Sequence, residues 1–245
     1  NSADKEDRNY KVIHNAGQVS CVMQLAEISF FIATLAIFSF IAAQRKSLSN
    51  RGIIAALIVG IVVFVFGGIS SYLVLLAFYV IAQVATTYSR NITGKNHEQR
   101  RTSNVIGNSG AALIALAFGQ QLAFFGAIAA ALADTISGEI GLLSRRKPIL
   151  ITSLKEVEAG TDGGITALGL FAGAVAGSLI AAAYYFISNN FNYSAIILVA
   201  GMVGMVVDSI LGDVFERKGK LNNMQVNFIA SLCGAATTIL LKFMF

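Results

Sequence analysis

Two stretches of the chain repeat one pattern of acids: "DTISGEI", Asp134 to Ile140, and "DSILGDV", Asp208 to Val214. Each reads Asp, hydroxyl residue, Ile, any residue, Gly, acid, β-branched residue, and each follows a long apolar run and precedes a basic cluster. An acid inside an apolar segment is costly unless it is paired, hydrated or metal-bound, which makes Asp134 and Asp208 functional candidates from the outset. Two helices meeting near a membrane surface can supply Asp134, Glu139, Asp208 and Asp213 to one or two Mg²⁺ ions. That cation usually takes one or two carboxylates and leaves its other positions to water and substrate phosphates. The second acid of each copy is less constrained. Five residues of helix rise by about 7.5 Å and turn Glu139 and Asp213 away from the first acid. Both can equally be solvated helix-end acids or partners of the basic loops.

A second candidate is "KEVEAGTDGGITALG", Lys155 to Gly169. Thr161 or Asp162 can cap the helix expected to follow, and Gly160, Gly163 and Gly164 leave its backbone N–H groups approachable. Free N–H groups and the helix dipole both suit phosphate, and Lys155 can add a point charge. The alternative is a Gly-rich cap followed by a ladder of packing glycines, Gly169, Gly173 and Gly177. Two further polar entries stand at helix starts. In "RRTSNVIGN", Arg101 can grip phosphate oxygens, and Asn104 and Asn108 share a helix face. In "NNMQVN", Asn223 and Asn227 do the same. Asn can complete a metal shell or bind a nucleotide ribose or base; helix capping and loop solvation are the plainer roles.

The elements that carry these residues follow from composition. The chain has 245 residues, 56% hydrophobic and 13% charged, with mean hydropathy +0.70; a soluble domain carries about 25% charged residues. There are 23 Gly and one Pro, as suits long helices in a membrane. The apolar runs are too long and continuous for outer-membrane strands. The expected fold is an all-α polytopic membrane bundle of about seven to eight helices, near residues 25–43, 52–66, 70–87, 108–119, 122–143, 163–187, 194–214 and 224–244. Residues 1–24 form a polar, loose N-terminal segment with an interfacial helix or lead-in near 12–24, and residues 25–245 a single transmembrane domain. The chain lacks an initial Met and a signal-peptide layout, as expected of an internal or trimmed start. Cys21, Cys233, His14 and His97 have no zinc or disulfide spacing.

Charge sets the expected orientation. Arg45, Lys46 and Arg51 fill the first loop; Arg90, Lys95, Arg100 and Arg101 the loop before residue 108; Arg145, Arg146, Lys147 and Lys155 the next long one; Arg217, Lys218 and Lys220 the last. The connections at 67–69, 119–121 and 188–193 carry none. Basic and uncharged loops therefore alternate, provided 108–143 crosses twice, and the positive-inside rule puts the basic loops in the cytoplasm. The net charge of +5 thus reads as loop charge and not as nucleic-acid binding. Residues 108–143 and 163–214 then form a parallel repeat of helical hairpins, and the acids, the Gly loop and the Asn clusters converge at the cytoplasmic helix ends. That convergence describes a metal–phosphate site.

These motifs resemble the family of transmembrane protein 19, domain-of-unknown-function family 92, which includes plant phytyl-phosphate kinase of tocopherol synthesis. The resemblance covers roughly residues 47–242 and rests on "NVIGNSG", "ADTISGEIG", "GTDGGITALG", "DSILGD" and "NNMQVNF", in family order. A common family form has Trp or Ala where Ile136 and Ser137 stand, and often Ser where Asp162 stands. The resemblance implies an integral membrane kinase, in the plasma membrane if prokaryotic. It would convert an isoprenyl monophosphate of the phytyl or geranylgeranyl kind to the diphosphate, with Mg²⁺ and a nucleoside triphosphate, CTP being the candidate donor. On this reading Asp134, Glu139, Asp208 and Asp213 hold metal, and Arg101, Lys155 and the loop Gly160, Thr161, Asp162, Gly163, Gly164 hold phosphates. Asp134, Asp208, Lys155 and Arg101 form the catalytic set, and Asn104, Asn108, Asn223 and Asn227 orient ligands. The partners are the isoprenyl lipid, the nucleotide and membrane lipids, with homo-oligomerisation left open. The rival readings are a transporter of a cation or phosphorylated metabolite, and a non-catalytic lipid-phosphate binder.

Overall fold

A computed structural model describes residues 2–94 and 102–244, with side chains from residue 23 onward. The chain divides into two compact units, Asn1–Ile41 and Ala42–Phe245. The first lies within helix α1, Ser2–Gln44, whose stretch Met23–Gln44 is long and apolar enough to cross a membrane. This helix runs unbroken through residue 24, where a looser lead-in was expected; no Pro interrupts it.

The second unit begins its helices with α2, Asn50–Thr93. Its 44 residues would measure about 66 Å as a straight rod, twice a hydrocarbon core of about 30 Å. The helix is broken at Gly68 (φ 73°, ψ −178°), a conformation open to glycine. The Phe64 and Tyr72 rings, on either side of the break, lie edge to face with centroids 6.2 Å apart, whereas eight residues of straight helix rise about 12 Å. The spans expected at 52–66 and 70–87 are therefore the two arms of one broken helix. Next come α3, Thr102–Ala117, and α4, Gln121–Gly141. Helix α3 starts six residues before the expected 108 and has 16 residues, about 24 Å of rise. After a long loop come α5, Ala167–Ser188, and α6, Phe191–Leu211, which runs on as a π-helical turn, Gly212–Glu216, and then α7, Asn223–Lys242. Six of the described helices are long and apolar enough to span a membrane, α2 being two spans long. The fold is the all-α polytopic membrane bundle that composition implied. The loop between α4 and α5 holds a short antiparallel ribbon, β1 (Ile149–Leu150) with β2 (Gly164–Ile165), which no sequence period announced.

Helix α4 occupies the centre. Every residue from Leu122 to Ala133 is buried, and α4 packs on α2, α3, α5, α6 and α7. Apolar surface earns no hydrophobic gain between helices in lipid, so close packing of small residues holds them. A Cβ on Gly169 would lie 2.6 Å from Ser137 O, and one on Gly173 would lie 2.8 Å from Ala133 O. The α5 ladder is thus a packing face against α4. Helix α6 approaches α4 the same way. A Cβ on Gly201 would lie 3.3 Å from Ala129 Cβ, and one on Gly204 would collide with Ala130 Cβ. Four residues beyond Ala130 and Gly204 stand Asp134 and Asp208.

Candidate functional site

The C-terminal ends of α4 and α6, the N-terminal ends of α3 and α7, and the loop before α5 meet at one end of the bundle. They enclose a cavity of about 840 Å³, within the roughly 300–1,000 Å³ typical of small-molecule sites. Helix α3 contributes Asn104 and Asn108, α4 contributes Asp134 and Glu139, and α6 contributes Asp208. The loop adds Gly160, Thr161, Gly163 and Gly164, and α7 adds Asn223 and Asn227. Eleven positions singled out by residue type and spacing thus share one cavity.

The Asp134 and Asp208 carboxyls come within hydrogen-bonding reach of each other; with both ionised they would be two acceptors with no donor between them. Asp208 Oδ2 is buried and has no hydrogen-bond partner. Such an oxygen is strongly disfavoured unless a proton or cation meets it. Glu139 lines the same cavity and accepts a hydrogen bond from Thr86 Oγ1 at 2.7 Å. Among the described residues no three acids converge closely enough to hold a metal between them. The donor set is hard oxygen throughout, and it fits Mg²⁺, which needs few protein carboxylates and keeps positions for water and phosphate.

Asp213 departs from the expected metal set. It is 3% exposed, lies outside the cavity lining, and has both oxygens engaged: Thr152 Oγ1 donates to Oδ2, and Arg217 Nη2 lies 3.0 Å from Oδ1. The structure thus adopts the pairing with a basic loop. The Gly loop seats on the same turn. Gly163 has φ +76°, and a Cβ there would lie 2.6 Å from Asp213 Cα; one on Gly212 would lie 2.7 Å from Gly163 N. The loop glycines are therefore needed for close backbone approach, and the loop also walls the cavity.

The expected cap of the helix after the loop also moves. Thr166, not Thr161 or Asp162, caps α5, its Oγ1 accepting from Gly169 N at 3.0 Å. The reason is that Gly164 and Ile165 pair with β1 and delay the helix start. Asp162 is exposed and outside the lining, and so is Lys155, whose carbonyl accepts from Leu150 N at 2.9 Å. Arg101 lies outside the described residues. Among the described residues no Lys or Arg lines the cavity.

The Asn side chains form a network. Asn104 Nδ2 donates to Asn223 Oδ1 at 3.4 Å, and Asn227 Nδ2 donates to the same oxygen at 3.3 Å. Asn222 instead caps α7: its Oδ1 accepts from Gln225 N at 3.0 Å, while Gln225 Oε1 accepts from Asn222 N at 2.9 Å.

Two participants carried no decisive sequence signal. Thr86 lies inside an apolar span and is brought to Glu139 by tertiary folding alone. Glu216 sits in the π-helical turn, outside the cavity lining and next to the Asn223 side chain. In an unbroken α-helix Glu216 would point about 80° away from Asp208; one extra residue in the turn brings it to about 20°. By contrast, the hydroxyl of the repeated pattern was visible in the sequence, and Thr135 and Ser209 both line the cavity.

A family model described as "Integral membrane protein DUF92" matches residues 33–235. An uncharacterized membrane protein of Methanocaldococcus jannaschii is 31% identical over 237 residues, covering 91% of this chain and 98% of the relative. "Protein VTE6, chloroplastic" of Arabidopsis thaliana is 28% identical over 217 residues, 80% of this chain and 65% of its own length. "Protein PGR" of the same plant is 27% identical over 229 residues, 78% of this chain and 79% of its own. No solved structure matches the chain.

Proposed function

The chain belongs to the integral membrane protein family DUF92, and we propose that it is a Mg²⁺-dependent isoprenyl-phosphate kinase. The observation that carries the reading is the pair Asp134 and Asp208, one from each repeat hairpin, facing each other in a polar cavity with Asp208 Oδ2 buried and unpartnered. The family's inclusion of a plant phytyl-phosphate kinase, on the motif resemblance, supplies the reaction class. The lipid substrate is an isoprenyl monophosphate and the donor a nucleoside triphosphate, CTP first.

In this reaction an oxygen of the lipid monophosphate attacks the γ-phosphorus of the nucleotide. A new P–O bond forms, and the bond to the β–γ bridging oxygen breaks. The nucleoside diphosphate leaves with the electron pair. No separate base is needed, because the attacking phosphate is already ionised near neutral pH; positioning and charge neutralisation do most of the work. Bound Mg²⁺ would neutralise phosphate charge and hold the phosphates to the carboxylates. Asp134 and Asp208 would hold the ion, with Glu139 beside them. The loop Gly160–Gly164 offers backbone N–H groups, and Asn108, Asn223 and Asn227 orient ligands. Asp213 we assign to fixing the loop. Alternating basic and uncharged loops support a site that faces the cytoplasm.

The test incubates purified protein with Mg²⁺, labelled CTP or ATP, and phytyl, geranylgeranyl or farnesyl monophosphate. Lipid diphosphate should form, and should fall by at least roughly a hundredfold in Asp134→Asn and Asp208→Asn, in keeping with loss of one preorganised electrostatic group. No product with any donor and lipid, together with solute flux in liposomes, would replace the kinase with a transporter.

A further inference from the structure

The helical glycines of α4 to α7 have a packing reason, with one exception. In α4 to α7 a Cβ on Gly126, Gly141, Gly169, Gly173, Gly177, Gly201, Gly204 or Gly234 would meet a neighbouring atom. Gly138 lies inside α4 with no positive φ, and a Cβ there would meet nothing within 4 Å. Neither backbone conformation nor a protein neighbour calls for glycine there, and glycine is a poor helix former. Gly138 does line the cavity.

Its place decides what the space is for. Gly138 is four residues past Asp134, on the same helix face, one turn nearer the loops. On the other side of Asp134, α4 is closed: residues up to Ala133 are buried. A ligand held at the Asp134–Asp208 pair therefore lies over Gly138 with the part that enters from the loop end. The cavity lining also includes Leu142, one turn further on, and Pro148. A flat glycine surface beside Leu and Pro suits a planar ring, and water-soluble ligands enter from the loop end.

We infer that Gly138 is a specificity-determining residue, keeping room for the nucleoside of the phosphoryl donor while the lipid phosphate approaches the carboxylate pair from elsewhere. This rests on the kinase reading given above.

The test is the series Gly138→Ala, Gly138→Val and Gly138→Leu in the full chain, with Leu142→Ala as a separate probe. Two readouts are taken: direct CTP and ATP binding by calorimetry in Mg²⁺, and KM for each substrate. Nucleotide affinity should fall with side-chain volume, roughly tenfold or more for Leu, with KM for geranylgeranyl monophosphate and the thermal midpoint unchanged. A rise in lipid KM alone would put the lipid over Gly138 and overturn the inference. Unchanged binding of both would leave the space to solvent and overturn it as well. Nucleotide binding that depends on residue 138 without any phosphoryl transfer would uphold the inference and sink the kinase. Failure of the wild-type protein to bind CTP or ATP would overturn both.

Discussion

At the residue scale, the metal role proposed for Asp134 and Asp208 implies that the pair trades stability for ligand binding. Two half-buried carboxyls that face each other repel when both are ionised, and one has an oxygen with no partner. In the absence of divalent cations Asp208→Asn should therefore raise the thermal midpoint, because an amide supplies the missing donor. The wild-type protein should gain stability on adding Mg²⁺, by about 2.7 kcal/mol at a hundredfold excess over Kd, and the variant should lose most of that gain. Asp213→Asn should behave oppositely. It weakens the Thr152 and Arg217 partnerships of a buried carboxylate, lowering stability by about 1–3 kcal/mol while keeping the Mg²⁺ response. Melting curves of both variants with and without Mg²⁺ separate the two roles; equal Mg²⁺ responses would remove the distinction. The repeated pattern already set the second acid of each copy apart from the first, but left Glu139 and Asp213 alike. Their difference lies in direction around the helix, which only the π-helical turn and its neighbours fix.

At the element scale, small residues set where the acids stand. Gly201 and Gly204 let α6 lie on Ala129 and Ala130 of α4, one turn before the Asp pair. Gly204→Val should force the helices apart, with an overpacking cost of about 1–3 kcal/mol. Because Asp208 then moves from Asp134, the Mg²⁺-dependent gain in melting temperature should shrink more than overall stability does. A variant with an intact Mg²⁺ response would show that α6 is held by other contacts. The hydrophobic runs and basic loops located most helices, and the break at Gly68 falls in the connection expected at 67–69, yet two local features escaped them. The ribbon of β1 and β2 is too short to show a period. The π-helical turn has no composition of its own, although it decides where Glu216 points.

At the scale of the whole molecule, the uncharged connections near Gln120 and Asn189 lie at the end of the bundle opposite the cavity loops. Single cysteines placed at Gln120 and Asn189, in a background with Cys21 and Cys233 replaced, should react with an impermeant reagent from one face of a sealed vesicle. Cysteines at Lys147 and Lys218 should react from the other. In the orientation proposed from the positive-inside bias, that second face is the cytoplasmic one. Labelling of all four from one face would break the double crossing of α3 and α4 and the orientation with it. The same alternation brings the N-terminal ends of α3 and α7 and the C-terminal ends of α4 and α6 to one place, so no single motif makes the site.

The sequence by itself determined the class of molecule, the helix count to within the α2 break, and eleven of the residues that line the cavity. These follow from hydrophobic length, loop charge and residue type, which act locally along the chain. Tertiary structure decided which acid of each copy faces its twin, that Asp213 belongs to the loop, that Thr166 caps α5, and that Thr86 and Glu216 join the network. Those outcomes depend on helix rotation and on contacts between segments far apart in the chain, for which a linear pattern carries no coordinate.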